Sequence, residues 1–184
     1  RAAHEIKDAL NGVSLNIEVV RSRSRRADVA AADLAEFATA AGSQFETLVE
    51  RTEALVFLAR PQKRGSAVDI ALTLRHLAAL LVPAARADGA ALKVSGWERP
   101  VPTTASADAV RLGIGAGLLQ MAEQGGSCLL ETTSGTVVRF SHESAETCTL
   151  DSAIAASLAE QNIVIQRADP GGKAGALLMV FPGS

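Results

Sequence analysis

Residues 4–20 read HEIKDALNGVSLNIEVV, and this stretch decides how the chain begins to fold. Apolar residues recur in it at spacings of four, three, four and three, namely Ile6, Leu10, Val13, Ile17 and Val20. This is the heptad spacing of a helix that buries one stripe of side chains in a bundle. The stretch therefore predicts an amphipathic bundle helix at the start of the chain.

A second stripe at the same spacing follows, and the two stripes together predict a helical hairpin. Its members are Leu34, Phe37, Ala41, Phe45, Leu48, Thr52 and Leu55. Asp28 is a candidate N-cap of this helix and Pro61 a candidate stop. The connection at residues 21–26 is short and rich in Arg and Ser, which suits a helix end and an antiparallel packing. Because two helices cannot enclose a core, we expect a second copy to complete a four-helix bundle, and hence a homodimer.

One face of the first helix carries polar residues that suggest chemistry. His4, Asp8, Asn11 and Leu15 fall on the side turned away from the apolar stripe, and Glu5 is the neighbour of His4. A carboxylate that holds one ring N–H of an imidazole leaves the other nitrogen free to attack phosphorus, and Glu5 is the candidate for that role. The same residues also fit a simpler interpretation, an exposed histidine among ordinary surface charges.

The order His4-Glu5-Ile6-Lys7-Asp8-Ala9-Leu10-Asn11-Gly12 resembles the phospho-acceptor box of sensor histidine kinases, whose usual form is His-Glu-(Ile/Leu)-(Lys/Arg)-Asn-Pro-Leu. This resemblance implies a dimerisation and histidine phosphotransfer domain in residues 1–62. It implies His4 as the phosphorylated residue, with Glu5 and Asp8 as the other catalytic positions. The chain departs from the usual box at Asp8, where Asn is common, and at Ala9, where Pro is common. Without that proline we expect a straighter helix.

Residues 66–184 alternate between strand-like and helical patterns, which predicts an α/β sandwich and an α+β protein as a whole. Ser106 and Asp151 are candidate helix caps, and the polar, aperiodic residues 62–66 contain the domain boundary. We expect helices over 72–82, 107–123 and 151–161, strands near 66–70, 91–94, 128–132, 136–141, 163–166 and 176–181, and a hairpin turn at 133–135.

That order of elements is similar to the ATP-binding domain that follows the hairpin in histidine kinases. The resemblance implies a helix Asn for magnesium and an Asp-x-Gly-x-Gly segment for adenine. The matching helix, residues 110–123, contains no Asn or Asp, and residues 142–149 contain no Asp-x-Gly-x-Gly. Gly113, Gly115 and Gly117 lack the preceding strand and the Lys-Ser/Thr ending of a phosphate loop, so they predict close packing within a helix. We therefore expect a degenerate ATPase-like domain with no cofactor and no metal site.

Composition excludes other classes of function. The formal charge is −2, there are five Phe, one Trp and no Tyr, and so neither a basic surface nor an aromatic platform is available for nucleic acid. The two cysteines lack a CxxC spacing, which fits the cytoplasm. The apolar runs fall far short of the ~20 residues that span a bilayer, so we expect no membrane contact by this fragment. Its opening, Arg1-Ala2-Ala3-His4, looks like a cut within a longer protein.

The function expected is histidine phosphotransfer in a bacterial two-component phosphorelay, without ATP. His4 would accept a phosphoryl group and exchange it with an aspartate of a response-regulator receiver domain, which would bring any magnesium. The receiver is expected to dock along the bundle, with Lys7, Asn11, Phe57 and Arg60 as contacts. A phosphotransferase is favoured over an ATP-dependent kinase. Two alternatives stay open: a sensor histidine kinase with an atypical ATP site, and a non-enzymatic dimeric signalling scaffold.

Overall fold

The computed structural model describes residues 2–24, 31–61, 67–132, 136–141, 149–168 and 176–183. The chain divides into two compact units, Arg1–Val56 and Phe57–Ser184, and the division falls inside a helix. The expected cap Asp28 and the expected turn at 133–135 lie outside the described residues.

The first unit is an antiparallel helical hairpin, as the two heptad stripes predict. It consists of α1 (Ala2–Arg23) and all but the last turn of α2 (Ala31–Ala59). Asn16 Nδ2 donates to Gln44 Oε1 at 3.0 Å, and the Arg23 guanidinium lies 4.7 Å from the Phe37 ring centroid. Moving forward along α1 thus means moving backward along α2, which is the antiparallel arrangement.

A single hairpin buries only part of the apolar surface of its two helices. Val13, Leu48 and Ala54 are buried, and Ala54 has no exposed surface. Other large apolar side chains of α1 and α2 stay open to solvent, with exposed fractions of 48% for Leu10, 54% for Ile17, 55% for Phe45, 40% for Val49 and 46% for Val56. The two helices therefore carry more apolar surface than one hairpin buries.

The second unit is a two-layer α/β sandwich, which confirms the predicted fold class. Its main sheet has the strand order β2-β4-β5-β7-β6, in which β2 is parallel to β4 and the other neighbours are antiparallel. The helices are α3 (Ile70–Ala87), α4 (Ala107–Gln124) and α5 (Ser152–Ala159). The strands are β1 (Val68–Asp69), β2 (Leu92–Ser95), β3 (Pro102–Thr103), β4 (Gly126–Glu131), β5 (Thr136–Ser141), β6 (Val164–Ala168) and β7 (Ala176–Phe181).

The core of this unit lies between the helices and one face of the sheet. Side chains alternate along each strand, so every second residue points inward. The buried strand residues include Cys128, Leu130, Val138, Phe140, Leu177 and Met179, and they pack in one cluster with Val110, Ile114, Leu118 and Met121 of α4. Ser106 and Asp151 cap α4 and α5, as predicted.

The start of the sandwich differs from the strand expected near 66–70. Only Val68 and Asp69 are extended, and they pair with β3, a strand that sequence patterns missed because two residues carry no periodicity. Helix α3 already begins at Ile70, because the Asp69 side chain accepts from the backbone N–H groups of Ala71 and Leu72. It also continues past the expected end at residue 82, through Pro83, to Ala87.

Helix α3 has 18 residues and is, among the described helices, the one long and apolar enough to cross a membrane. This is weak evidence, because the core helix of a soluble protein passes the same test. Ile70, Leu74 and Ala78 of α3 are buried in the protein. We read α3 as a core helix of the sandwich.

Candidate functional site

The phospho-acceptor box lies within helix α1, as expected. His4 and Glu5 belong to its helical residues, while their side chains fall outside what the structure describes. Lys7, Asp8 and Asn11 follow with exposed side chains. Leu15, on the same face three turns from His4, is 67% exposed. The described side chains of this face are thus exposed to solvent.

The antiparallel packing sets which part of α2 lies level with His4. His4 precedes Asn16 by twelve residues and Val56 follows Gln44 by twelve, and Asn16 is hydrogen-bonded to Gln44. Because both helices rise by the same amount per residue, the backbone of Val56 lies at about the level of His4. His4 on α1 and Val56 on α2 therefore lie at the same end of the hairpin.

Helix α4, in which the sequence analysis sought a magnesium ligand, packs directly on the sheet. Val110, Ile114, Leu118 and Met121 have no exposed surface. A Cβ atom at Gly117 would lie 2.5 Å from Cζ of Phe140, and one at Gly113 would lie 3.3 Å from Sδ of Met179. These two glycines confirm the predicted close packing, since a Cβ at Gly117 would collide with the Phe140 ring and one at Gly113 would be in tight contact with Met179. The inner face of α4 thus presents only apolar groups to the sheet.

Gly115 departs from that expectation. A Cβ there would meet only Leu77 Cδ2, at 4.0 Å, which is an ordinary contact. The glycine spacing in the sequence could not show that Gly115 is less tightly packed than Gly113 and Gly117. That depends on which side of the helix faces the sheet.

Cys128 on β4 is the free cysteine of the described residues. Burial raises the pKa of its thiol, because the low-dielectric core disfavours the charged thiolate. Without thiolate at neutral pH this side chain is neither a nucleophile nor a good metal ligand. In the described part of the chain, no three His, Cys, Asp or Glu side chains are grouped so that they could hold a metal ion.

Phe57 and Arg60, the expected receiver contacts on α2, belong to the second unit. The ring of Phe57 stacks on that of His76 from α3, with the centroids 4.3 Å apart and the planes at 31°. Nη2 of Arg111 donates to the backbone oxygen of Phe57 at 3.2 Å and to that of Arg60 at 3.0 Å. His76 thus contacts the last turn of α2.

Sequence reasoning missed Arg111. It lies on α4, and its partners at the end of α2 are more than fifty residues earlier in the chain. One signal was available: the last turn of α2 contains no basic residue. The unpaired backbone carbonyl groups at such a helix end carry partial negative charge, which a cation from another element can compensate.

The same fold occurs in a solved structure. The Acinetobacter baumannii histidine kinase AdeS matches with a TM-score of 0.51 over 91% of this chain and 94% of its own, at 10% identity. The fold is that of a sensor histidine kinase core. The histidine kinase domain of a blue-light-activated histidine kinase from Erythrobacter litoralis also matches, with a TM-score of 0.45 and 17% identity over 99% of this chain and 94% of its own. No protein-family model matches the sequence, and no curated protein does.

The histidine kinase fold agrees with the order of units expected from the sequence, a helical hairpin followed by an α/β sandwich. At such low identity the match concerns the fold and not the chemistry. The chemistry has to be argued from the residues of this chain.

Proposed function

We propose that this chain is a histidine phosphotransfer protein of a two-component phosphorelay. His4 accepts a phosphoryl group from an aspartyl phosphate of a receiver domain and returns it to such an aspartate. The protein works as a homodimer in the cytoplasm without binding ATP, and the receiver supplies the magnesium.

The observation that carries this proposal is the contrast between the two units. The helix face that bears the box is exposed at Lys7, Asp8, Asn11 and Leu15, so a partner protein can reach it. The helix that resembles the nucleotide-binding one is packed against Phe140 and Met179, and its inner side chains are all apolar. The exposed face supports docking of a receiver, and residues 110–123 of α4 contain no Asn or Asp that could bind a magnesium ion.

The chemistry requires little beyond a neutral imidazole held in place. One ring nitrogen of His4 attacks phosphorus, and the bond from phosphorus to the aspartyl oxygen breaks, which restores the carboxylate of the receiver. The proton on the other ring nitrogen leaves to Glu5 or to water, and Glu5 orients the ring before the attack. Asp8, one turn further along α1, adds negative charge beside the acceptor.

The exposed apolar side chains of the hairpin support the homodimer. Leu10 and Ile17 are one heptad apart on α1, while Phe45, Val49 and Val56 follow one stripe of α2. A second copy packed on these stripes buries them and completes a four-helix bundle. The face with Lys7, Asn11 and Leu15 stays free for the receiver.

The test is phosphoryl transfer to the whole chain from a phosphorylated receiver and from phosphoramidate, a small phosphodonor. We expect an acid-labile label on the wild type and none on His4→Ala. His142→Ala is the control, since it removes another histidine of the chain and should keep the label. ATP binding is measured on the same samples and is expected to be absent.

Each other outcome points to a different function. Label obtained from ATP would make the chain a sensor histidine kinase with an atypical nucleotide site. A wild type that takes no label from either donor would make it a dimeric signalling scaffold in which His4 has no chemical role.

A further inference from the structure

Two amide side chains meet between the helices of the hairpin. Nδ2 of Asn16 on α1 donates to Oε1 of Gln44 on α2 at 3.0 Å, and both side chains are half-buried. Gly12, one turn before Asn16, makes room for this contact. A Cβ atom at residue 12 would lie 2.8 Å from Oε1 and 2.9 Å from Nε2 of Gln44. We call these three residues, Gly12, Asn16 and Gln44, the register lock.

The apolar residues of the hairpin do not by themselves fix how far α1 is displaced along α2. Because Asn16 is level with Gln44, Phe45 of α2 lies about two residues from the level of Ile17 on α1. A displacement by one turn would bring Phe45 within about one residue of the level of Leu10 instead. Apolar residues that repeat every three or four positions thus meet other apolar residues in several registers.

The register lock distinguishes these registers, because Gln44 is the only Asn or Gln in the sequence of α2. A displacement by one turn in either direction would bring Asn16 level with Ala40 or with Leu48. The amides of Asn16 and Gln44 would then each face the other helix without the other amide as a partner. A polar group in a helix interface without a partner costs free energy. A single polar pair among apolar residues therefore specifies the register.

A second contact agrees with the same register. The Arg23 guanidinium lies 4.7 Å from the ring centroid of Phe37. Arg23 follows Asn16 by seven residues and Phe37 precedes Gln44 by seven, so both contacts require the same displacement of the helices. The long side chain of Arg23 can follow a shifted ring, whereas the short side chain of Asn16 cannot follow a shifted amide. The choice of register therefore depends on the register lock.

Exposed apolar side chains from both helices point to one side of the hairpin. Counted around each helix from Asn16 or from Gln44, they all lie about 100–140° away in the same rotational sense. Because the helices are antiparallel, the same sense of rotation from each N-terminus to each C-terminus leads to the same side. These side chains are Leu10 and Ile17 of α1 with Phe45, Val49 and Val56 of α2. Leu15, on the face that carries the box, lies about 100° in the opposite sense.

The spacing on this apolar side indicates what binds there. Leu10 and Ile17 are one heptad apart, and so are Val49 and Val56. Heptad spacing on two adjacent helices is the pattern of helices that pack against other helices with the same repeat. The hairpin of a second copy has that repeat, and two hairpins related by a two-fold axis close a four-helix bundle.

We propose that Asn16 and Gln44, with Gly12, are the specificity-determining residues of the homodimer. The register lock selects one displacement of α1 along α2, and this displacement sets the pattern of apolar side chains that the second copy meets. The inference rests on the homodimer of the proposed function and adds the residues that make its register unique. The lock acts through the positions of Ile17 and Phe45.

The experiment follows the register by NMR of the backbone amides of α1 in the whole chain. The wild type should give one sharp signal for each residue. The double variant Asn16→Leu/Gln44→Met keeps the size of the pair, removes its polar groups and should give split or broadened signals. Gly12→Ala should do the same, because the added Cβ displaces the Gln44 amide from Asn16. Gly42→Ala is the matched control, since nothing lies within 4 Å of a Cβ at this exposed glycine, and its signals should stay single.

Amide hydrogen exchange of α1 measures the pairing of the two amides. Asn16→Leu alone leaves Gln44 without its donor and should make exchange about tenfold faster. The double variant leaves no unpaired amide, so its exchange rate should return to within about twofold of the wild type. Such a recovery is the signature of two residues that act as a pair.

Sedimentation equilibrium of the same variants measures the dimer. If the observed register and a displacement by one turn in either direction become equally populated, about one third of the copies are competent to pair. Because a dimer needs two competent copies, its Kd should rise about tenfold in the double variant. Gly42→Ala should leave the Kd unchanged.

Single, sharp signals in the double variant would overturn the register lock. Equal exchange rates in Asn16→Leu and in the double variant would overturn the pairing of Asn16 with Gln44. Split signals with an unchanged Kd would overturn the role of the lock in the dimer. A monomeric wild type would instead overturn the proposed homodimer and with it this specificity role, whatever register the amide signals show.

Discussion

At the level of single residues, two glycines of helix α4 lie in different packing environments. Gly117 stands where the helix touches the Phe140 ring, so the absence of a Cβ is what lets helix and sheet approach each other. Gly115 stands on the side that faces Leu77 and leaves room for a methyl group. Glycine-rich stretches also form phosphate loops, but the glycines of α4 lie in a helix that packs against a core.

Gly117→Ala should therefore destabilise the protein, whereas Gly115→Ala should stabilise it. The added methyl at residue 117 forces the buried Phe140 to move, at a cost of about 1–3 kcal/mol in the free energy of unfolding. The same change at residue 115 removes the flexibility of a mid-helix glycine and contributes about 0.5–1 kcal/mol. Urea unfolding of the two variants measures both effects. Equal effects of the same sign would contradict this account of α4.

At the scale of the element, the Asp69 carboxylate joins a helix to a strand. Its Oδ1 accepts from the backbone nitrogens of Ala71 at 3.0 Å and Leu72 at 3.3 Å, and from that of Val101 at 3.0 Å. Asp151 makes the corresponding cap contacts with α5, to Ala153 at 2.8 Å and Ile154 at 3.4 Å. Asp69 differs from Asp151 in its long-range hydrogen bond with the backbone N–H of Val101. This bond connects the start of α3 to the residue before β3.

Replacing each aspartate by alanine separates the contribution of the N-cap to stability from that of the hydrogen bond with Val101. Asp151→Ala should lower the free energy of unfolding by about 1 kcal/mol, the usual value of an N-cap. Asp69→Ala should lower it by about 2–4 kcal/mol, because it also leaves the buried N–H of Val101 without its acceptor. Thermal and urea unfolding give both values. A smaller loss at Asp69 than at Asp151 would mean that the bond to Val101 contributes nothing.

At the scale of the whole molecule, the question is what covers the apolar stripes of the hairpin. Ile17 is 54% exposed and belongs to the predicted heptad stripe, whereas Leu15 is 67% exposed and belongs to the face that carries the box. The two residues are alike in size and exposure but point in different directions from α1. They provide a matched pair for testing the homodimer.

Ile17→Glu is expected to convert the dimer into a monomer, and Leu15→Glu is expected to leave it a dimer. A carboxylate at residue 17 would be buried without a partner in a four-helix bundle, whereas at residue 15 it stays in water. Light scattering during gel filtration measures the mass in each case. A monomeric wild type, or equal behaviour of the two variants, would refute the proposed bundle.

Local signals in the sequence predicted much of the secondary structure. The heptad stripes act over a few turns, so they located α1 and α2, and Ser106 and Asp151 predicted where α4 and α5 begin. Strand alternation located β2, β5 and β7 nearly to their ends. The pairing of the short strands β1 and β3 was not predicted, since two residues cannot establish a period. Their position depends on the long-range hydrogen bond between Asp69 and Val101.

The sequence by itself determined the helical hairpin, the sandwich that follows it and the motif at His4, because these depend on residues close to one another in the chain. Only the tertiary structure decided the strand order, the different roles of Gly115 and Gly117, and the pairing of Arg111 with the end of α2. The physical reason is separation along the chain. A cap or a heptad acts within a few residues, whereas Arg111 reaches carbonyl groups more than fifty residues away, a contact that arises only once the helices have packed.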